Sequence, residues 1–353
     1  MQKFFQKKSN LFFAIAGTFL FVLITLQACR KPHHLSPFAN DFQQVNLVAN
    51  NSSYGAVAVD PNLLNAWGIS FAPSGPTWVS SNGAGLSMIY NAAGATLRPP
   101  VTIPTSNAAT GGAPTGQVFN GTTGFKLSNG SPARFIFVGE DGVISGWNSG
   151  NAAEVAKYNA GAVYKGVTLA TDGGVPFLYV ANFIGKKVEV YDTLWNAVNK
   201  PFWDPSIPSD YAPFNVRAIN GWIYVIYAKL GTGLDEAHGP GTGIIDIYKP
   251  DGSLVKRFVS HGALNAPWGI TPASPDLVGD SALLIGNFGD GHINVYDWDG
   301  NFKGQLMSEG QPVAVEGLWA IDNTVANTSP RQLYFTAGPA DEEDGLFGFL
   351  SKL

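Results

Sequence analysis

The residues of this chain that could do chemistry are carboxylates, amides and a few histidines. Glu316 begins a Glu-Gly-Leu-Trp run, and Asp341 to Asp344 are four consecutive carboxylates. A glutamate together with asparagine oxygens would give an oxygen-only site suited to Ca²⁺ or a similar hard divalent ion. The run of four carboxylates lacks the spaced pattern of an EF-hand loop, so a solvated loop is the better interpretation of it.

Signatures of nucleophilic or phosphate chemistry are missing from the sequence. It contains no Gly-x-Ser-x-Gly, no His-Glu-x-x-His and no phosphate-binding Gly-Lys-Ser/Thr. The histidines after residue 40 are His238, His261 and His292, which are too scattered to indicate a triad. His238, beside Asp235 and Glu236, is the best general-base candidate, although a surface-loop histidine is the commoner case. The catalytic residues therefore stay unknown at this point.

The elements that must position these groups follow a repeat. Short apolar runs separated by turn residues recur with a period near fifty residues, and the third run of each unit ends in an aromatic, at Tyr90, Trp147, Tyr191, Tyr248, Tyr296 and Phe349. Four short antiparallel strands per unit at such a period are typical of a β-propeller, whose blades bury their faces against one another. The sequence therefore predicts an all-β fold, a six-bladed β-propeller over residues 42–353.

The sixth unit ends after its third strand. The segment from Phe42 to Asn50 is a strand candidate that precedes the first unit. We expect it to supply the missing outer strand and to close the ring, because open sheet edges invite aggregation. Asp299-Gly300, between two alternating runs, predicts a two-residue type I′ hairpin turn.

The composition agrees with a folded β protein. Hydrophobic residues make up 45% of the chain and charged residues 13%, with 42 glycines and 23 prolines. This combination suits tight turns between short strands rather than disorder. The formal charge is −5 and no basic cluster follows the N-terminal segment, which argues against nucleic acid as a partner.

The N-terminus has the pattern of an export signal. A basic region ending at Lys8 precedes an apolar core from Leu11 to Leu26, which is short for a spanning helix. Leu26-Gln27-Ala28-Cys29 resembles the bacterial lipobox, which implies a signal peptide over residues 1–28, acylation of Cys29 and a tether over residues 29–41. Cys29 is the only cysteine, so a disulfide within the chain and a cysteine-based metal site are excluded. We expect a lipid-anchored protein of the bacterial cell envelope, either periplasmic or surface-exposed. Its lipid anchor would bind it to the membrane.

Seven blocks carry a resemblance to a known family. They are Asn65 to Ile69, Pro114 to Asn120, Pro213 to Val216, Gly239 to Gly243, Leu264 to Gly269, Gly286 to Gly291 and Glu316 to Trp319. The chain resembles a functionally uncharacterised family of exported, six-bladed propeller-like bacterial proteins and, more loosely, NHL-repeat and sugar-lactonase propellers. The resemblance implies the fold but no established activity. Glu-Gly-x-Trp is similar to the opening motif of sugar lactonases, in which the glutamate binds a divalent metal, so Glu316 is the metal candidate.

Polar residues recur at one end of the predicted channel. In each blade, the loop before the first strand and the loop after the second open at the same end. The polar residues there that we expect to bind a ligand are Asn65, Glu140, Lys165, Asn182, Asn215, Asn265, Asn287 and Asp290. We expect Asn182, Asn215 and Asn287 to converge with Glu316 in one polar pocket. A structural role stays open for each asparagine, because asparagine tolerates positive φ in turns.

Two functions fit these observations. The favoured one is a binding or scaffold propeller that presents the polar end of its channel to a small molecule, glycan or protein. The alternative is a metal-dependent hydrolase resembling sugar lactonases. Trp67, Trp268 and Trp319 recur at one position of the innermost strand, which favours blade packing over ligand stacking.

Overall fold

The computed structural model describes residues 41–325 and 328–353, and their strands form six antiparallel blades around a central channel. Each of the first five blades has four strands, given from the channel outward. They are Ala66–Phe71, Thr77–Ser81, Leu86–Tyr90 and Val101–Thr102 in blade 1; Pro114–Phe119, Phe135–Gly139, Val143–Trp147 and Glu154–Tyr158 in blade 2; Tyr164–Asp172, Val175–Asn182, Lys187–Tyr191 and Ala197–Val198 in blade 3; Tyr211–Ile219, Trp222–Lys229, Gly243–Tyr248 and Leu254–Ser260 in blade 4; Pro267–Ala273, Ala282–Asn287, Ile293–Tyr296 and Phe302–Gln305 in blade 5. The predicted six-bladed propeller is confirmed.

Blade 6 joins the two ends of the described chain. Its inner strands are Leu318–Asp322, Gln332–Ala337 and Leu346–Lys352, and the outer strand Phe42–Ala49 pairs antiparallel with the last of these. A short strand, Ala58–Val59, adds to the outer edge in parallel. Phe42, Leu47, Val48 and Ala49 are buried. The predicted closure by an N-terminal strand is therefore confirmed, and its apolar face packs into the ring.

Glycines let the innermost strands approach each other closely. A Cβ added to Gly68 would lie 2.5 Å from the carbonyl oxygen of Thr115 in blade 2, and one on Gly116 would lie 2.9 Å from the amide nitrogen of Val167 in blade 3. Gly166 repeats the arrangement against blade 4. Real Cβ atoms do not approach backbone this closely, so these positions of the repeat require glycine.

The remaining elements are small. They are a 3₁₀ turn at Ser52–Tyr54, a one-turn helix at Pro275–Val278, and a hairpin of Met307–Ser308 with Gln311–Pro312. No helix in the described part of the chain is long and apolar enough to cross a membrane.

The prediction of a type I′ turn at Asp299-Gly300 is wrong. Only Gly300 has positive φ, and the loop closes from Asp297 to Asn301, whose backbones share a hydrogen bond. The Asp297 carboxylate accepts from the backbone amides of Asp299 and Asn301. This side-chain capping stabilises a longer loop in place of the two-residue turn.

Candidate functional site

The upper mouth, the end of the channel where the innermost strands begin, has an aromatic floor. The rings of Trp67 and Trp319 stack with centroids 3.6 Å apart, and Phe288 stacks on Trp319 at 3.8 Å. Trp268 meets Trp67 and Trp319 edge-on at 6.5 and 6.1 Å. All four side chains are buried, so their faces contact one another and offer no open stacking surface. The repeated tryptophans pack the channel, as their positions in the repeat suggested.

A buried ion pair lies above this floor. Lys165, only 1% exposed, donates from Nζ to Glu140 Oε1 at 2.6 Å, and its ammonium lies 5.0 Å from the centroid of the Trp67 ring. Glu140 Oε2 accepts from Asn82 Nδ2 at 3.1 Å. Burial lowers the pKa of Lys165, but the charges of Glu140 and Glu236 outweigh burial and leave that pKa raised. Lys165 is therefore a permanent cation at neutral pH, held by carboxylates.

Glu342 brings a second carboxylate to the same mouth from blade 6. Its Oε2 accepts from Asn65 Nδ2 at 2.6 Å, while Asn65 Oδ1 accepts from the Trp319 indole N–H at 2.7 Å. Burial raises the pKa of Glu342 to about 7, and repulsion from Glu236 adds to the rise, against the opposing effects of Asn65 and Lys165. Glu342 therefore exchanges its proton near neutral pH.

The loop after the second strand of blade 4 supplies the third carboxylate and a histidine. His238 Nε2 lies 3.3 Å from Glu236 Oε1, and the imidazole contacts the Phe288 ring edge-on with centroids 5.1 Å apart. The hydrogen bond to Glu236 is the main cause of a raised pKa for His238. The Glu236 side chain is 3% exposed and that of His238 is half exposed. His238 is thus the member of the group that solvent reaches most easily.

Together these groups define what the mouth can do. Carboxylates from blades 2, 4 and 6 lie around one ammonium group from blade 3, over the floor of buried aromatic rings. The pKa of Glu342 is about 7, and the hydrogen bond to Glu236 raises the pKa of His238. Such an arrangement can bind a polar ligand by charge-assisted hydrogen bonds and can exchange protons with it.

The structure brings some of the predicted ligand-binding residues to this mouth and leaves others in structural roles. Asn65, Glu140 and Lys165 belong to the mouth, through the contacts described above. Asn265 and Asn287 donate to opposite oxygens of Asp290, at 3.1 and 3.0 Å, within the blade 5 loops. Asn287 also donates to the backbone of Ala263. These three predicted residues therefore form a local cluster that braces two neighbouring loops.

Asn182 and Asn215 also make backbone contacts. Asn182 accepts from the backbone amides of Val163 and Gly185, and donates to Glu189. Asn215 donates to the carbonyl of Trp268 and accepts from Val216 N. Among the described residues, no hydrogen bond joins any two of Asn182, Asn215, Asn287 and Glu316. Their joint pocket stays a prediction without a contact to support it.

Glu316 is exposed, and its carboxylate accepts from the backbone amide of Ala340 at 3.0 Å. No group of three or more histidine, aspartate or glutamate side chains within residues 41–325 and 328–353 could hold a metal ion. A divalent ion at Glu316 stays a prediction, and the contact seen here gives this carboxylate a role in holding a loop.

Glu342 and Glu236 were not among the expected ligand-binding residues. The solvated-loop interpretation of residues 341–344 is wrong for Glu342, which turns inward, and for Asp344, which accepts from Asn50, Asn51 and Tyr54. Both residues could have been identified from their position, because Glu236 and Glu342, like Glu140, follow the second strand of a blade. Cys29, the signal peptide and residues 29–40 of the tether lie outside the described residues.

The fold and the site define a six-bladed propeller with a charged channel mouth, and two relatives match this chain over most of their own length. It is 31% identical over 326 residues to Uncharacterized protein R648 of Acanthamoeba polyphaga mimivirus, covering 88% of this chain and 80% of that protein. It is 30% identical over 347 residues to Uncharacterized protein L690 of the same virus, covering 90% of each. The chain therefore belongs to the family of these mimivirus proteins. These relatives do not support the bacterial, exported character that the resemblance implied.

Solved structures support the fold. A streptogramin B lyase matches 88% of this chain and 97% of its own, with a TM-score of 0.53 and 11% identity. A mutant of the α-L-arabinofuranosidase Arb93A from Fusarium graminearum matches the same shares, with a TM-score of 0.55 and 10% identity. At these identities the similarity shows the propeller alone. No family model matches the chain.

Proposed function

We propose that the upper mouth binds a small polar ligand that carries a cationic group. The observation that supports this most strongly is the gathering of Glu140, Glu236 and Glu342 from three blades around the buried ammonium group of Lys165. Burying charges costs stability, so such a cluster in a channel mouth is better explained by function than by folding. The carboxylates outnumber Lys165, which leaves negative charge for a ligand cation. The covered tryptophan faces disfavour a glycan that binds by ring stacking.

Binding of glucosamine and glucose by calorimetry at pH 7, where most of the glucosamine is protonated, tests this proposal. The two sugars share most of their hydroxyl groups, but only glucosamine has an amine. We expect glucosamine to bind more tightly than glucose, and Glu342→Gln to remove most of that preference while the exposed neighbour Glu343→Gln leaves it unchanged. If neither sugar binds, or if both variants behave like the wild type, the mouth is not a site for cationic ligands.

A second candidate function is acid–base catalysis at the same mouth. The specific observation in its favour is Glu342, whose pKa of about 7 lies near the working pH, where proton transfer is most effective. The half-exposed imidazole of His238 is a second proton-carrying group at this mouth. A lactone-hydrolysis assay across pH 5–9, with and without a chelator, separates this candidate from the metal-dependent hydrolase. Activity lost in Glu342→Gln but resistant to the chelator supports it. Activity that requires a divalent ion and Glu316 supports the metal-dependent reaction instead.

We also propose that the mature chain is anchored to a membrane through Cys29. The support is the basic and apolar N-terminal pattern followed by Leu-Gln-Ala-Cys. Cys29→Ser removes the thiol that lipidation requires, so we expect the protein to leave the membrane fraction or to stay unprocessed. Normal maturation and unchanged membrane partitioning of this variant would contradict the anchor.

A further inference from the structure

A second cavity opens at the lower mouth, the end of the channel where the innermost strands finish. Its volume is about 300 Å³, within the size range of small-molecule sites. Apolar side chains from blades 1, 2 and 3 form most of its wall, including Phe71, Phe119 and Leu169. Between the two mouths, the channel narrows to a void of about 20 Å³, which holds roughly one water molecule. The lower mouth is therefore separate from the charged upper mouth.

Arg217 supplies a cation to this cavity. One of its terminal nitrogens donates to Asp322 Oδ2 at 2.6 Å, across from blade 4 to blade 6. The Asp322 side chain is 1% exposed, and its other oxygen accepts from the backbone and hydroxyl of Thr324. Arg217 is one-third exposed and makes no other side-chain hydrogen bond within the described residues. Since a guanidinium has five N–H donors, most of the donors of this cavity-lining arginine make no hydrogen bond to described protein groups.

A buried hydroxyl in the same wall also lacks a partner. Ser70 lines the cavity and is 8% exposed, and its oxygen has no hydrogen-bond partner in the part of the chain that the structure describes. Buried polar groups without partners are uncommon in folded proteins. A guanidinium with free donors and an unsatisfied hydroxyl therefore share a cavity whose other walls are mainly apolar.

We propose that the lower mouth binds a small organic anion with an apolar body, such as an aromatic or aliphatic carboxylate. The carboxylate accepts from the free edge of Arg217, which suits planar two-oxygen groups, and the apolar body fills the space between Phe71, Phe119 and Leu169. Asp322 opposes the ligand's charge, so it moderates affinity. This site does not depend on the function proposed for the upper mouth.

Calorimetric titration of the full chain with benzoate tests the proposal. Two control probes each lack one feature of the proposed ligand: benzyl alcohol lacks the carboxylate, and acetate lacks the large apolar body. We expect benzoate to bind at least tenfold more tightly than either. Arg217→Met should weaken benzoate binding at least tenfold, whereas Arg98→Met, at a distant surface arginine, should leave it unchanged. Glu342→Gln should also leave it unchanged, because that carboxylate belongs to the other mouth.

Two further variants keep the test decisive if Arg217→Met folds poorly, since it leaves Asp322 buried without its cation. Asp322→Asn removes the negative charge that competes with the ligand for Arg217, so we expect it to tighten benzoate binding several-fold. Arg217→Met combined with Asp322→Asn removes both charges and should bind benzoate no better than benzyl alcohol. The proposal is wrong if the wild type does not bind benzoate, if benzyl alcohol or acetate binds equally well, or if Asp322→Asn leaves the affinity unchanged.

Discussion

Replacing Glu342 by glutamine should stabilise the protein at alkaline pH but not at acidic pH. The pKa of this carboxyl is about 7 in the fold, against 4.5 for the free group, so the folded state holds the proton more tightly than the unfolded state does. The stability of the wild type therefore falls as pH rises from about 4.5 to about 7, and stays lower above that window. At about 1.4 kcal/mol for each tenfold difference in proton affinity, the loss is about 3 kcal/mol.

Glutamine avoids this loss because it cannot ionise, and its side-chain oxygen still accepts from Asn65. For a chain of this size, the entropy of unfolding is roughly 0.6 kcal/mol per kelvin, so Glu342→Gln should melt about 5 °C above the wild type at pH 8. The two proteins should melt together at pH 4.5. Calorimetric melting at both pH values measures the difference, with Glu343→Gln as the control. An equal gain at both pH values, or none at pH 8, would refute the reasoning.

Three further predictions concern the ring. Deleting residues 42–50 removes the outer strand of blade 6 and its buried face, so we expect the melting temperature to fall sharply or folding to fail; an unchanged melting temperature would rule out closure by this strand. Gly116→Ala should destabilise the protein by about 1–3 kcal/mol in chemical denaturation, because its Cβ would lie 2.9 Å from a neighbouring blade's backbone, whereas Gly121→Ala has ordinary contacts and should cost much less. Arg257→Met leaves the fully buried Asp246 without its ion-pair partner, which should lower the free energy of unfolding by about 3 kcal/mol at pH 8. The loss should be smaller at pH 5, because burial raises the pKa of Asp246 to about 6 and the carboxyl is then mostly protonated.

The fold was predictable because its information is local and repeated. Short apolar runs, turn residues and a closing aromatic recur six times, and each unit has one stable way to bury its faces. The closing strand was predictable from a count, since the last unit lacked a fourth strand. Gly68, Gly116 and Gly166 occupy one position of the repeat. Glycine is required there because neighbouring blades lie so close together, and that distance cannot be deduced from the spacing of residues in the sequence.

The site was predictable in position but not in its pairings. Geometry of the repeat placed Asn65, Glu140 and Lys165 at one end of the channel, yet nothing in the sequence distinguishes them from Asn287 and its neighbours, which brace loops. Glu342 was missed because a run of four carboxylates normally faces solvent, and its inward turn depends on the backbone of its own loop. The pairing of Lys165 with Glu140 joins blades 2 and 3, so it follows from assembly of the ring.

The loop that carries Glu342 connects the charged mouth to closure of the ring. Ala340, Asp341 and Glu342 all have positive φ, a conformation that costs non-glycine residues roughly 1–2 kcal/mol each. Glu316 stabilises the start of this strained loop by accepting from Ala340 N, and at its end Asp344 accepts from Asn50, Asn51 and Tyr54 in the segment that follows the closing strand. Strain of this kind persists only where the surroundings enforce it, and it concentrates at functional sites. The segment from Phe42 to Tyr54 thus does more than complete a sheet, because its side chains help to hold the loop that presents Glu342 to the channel.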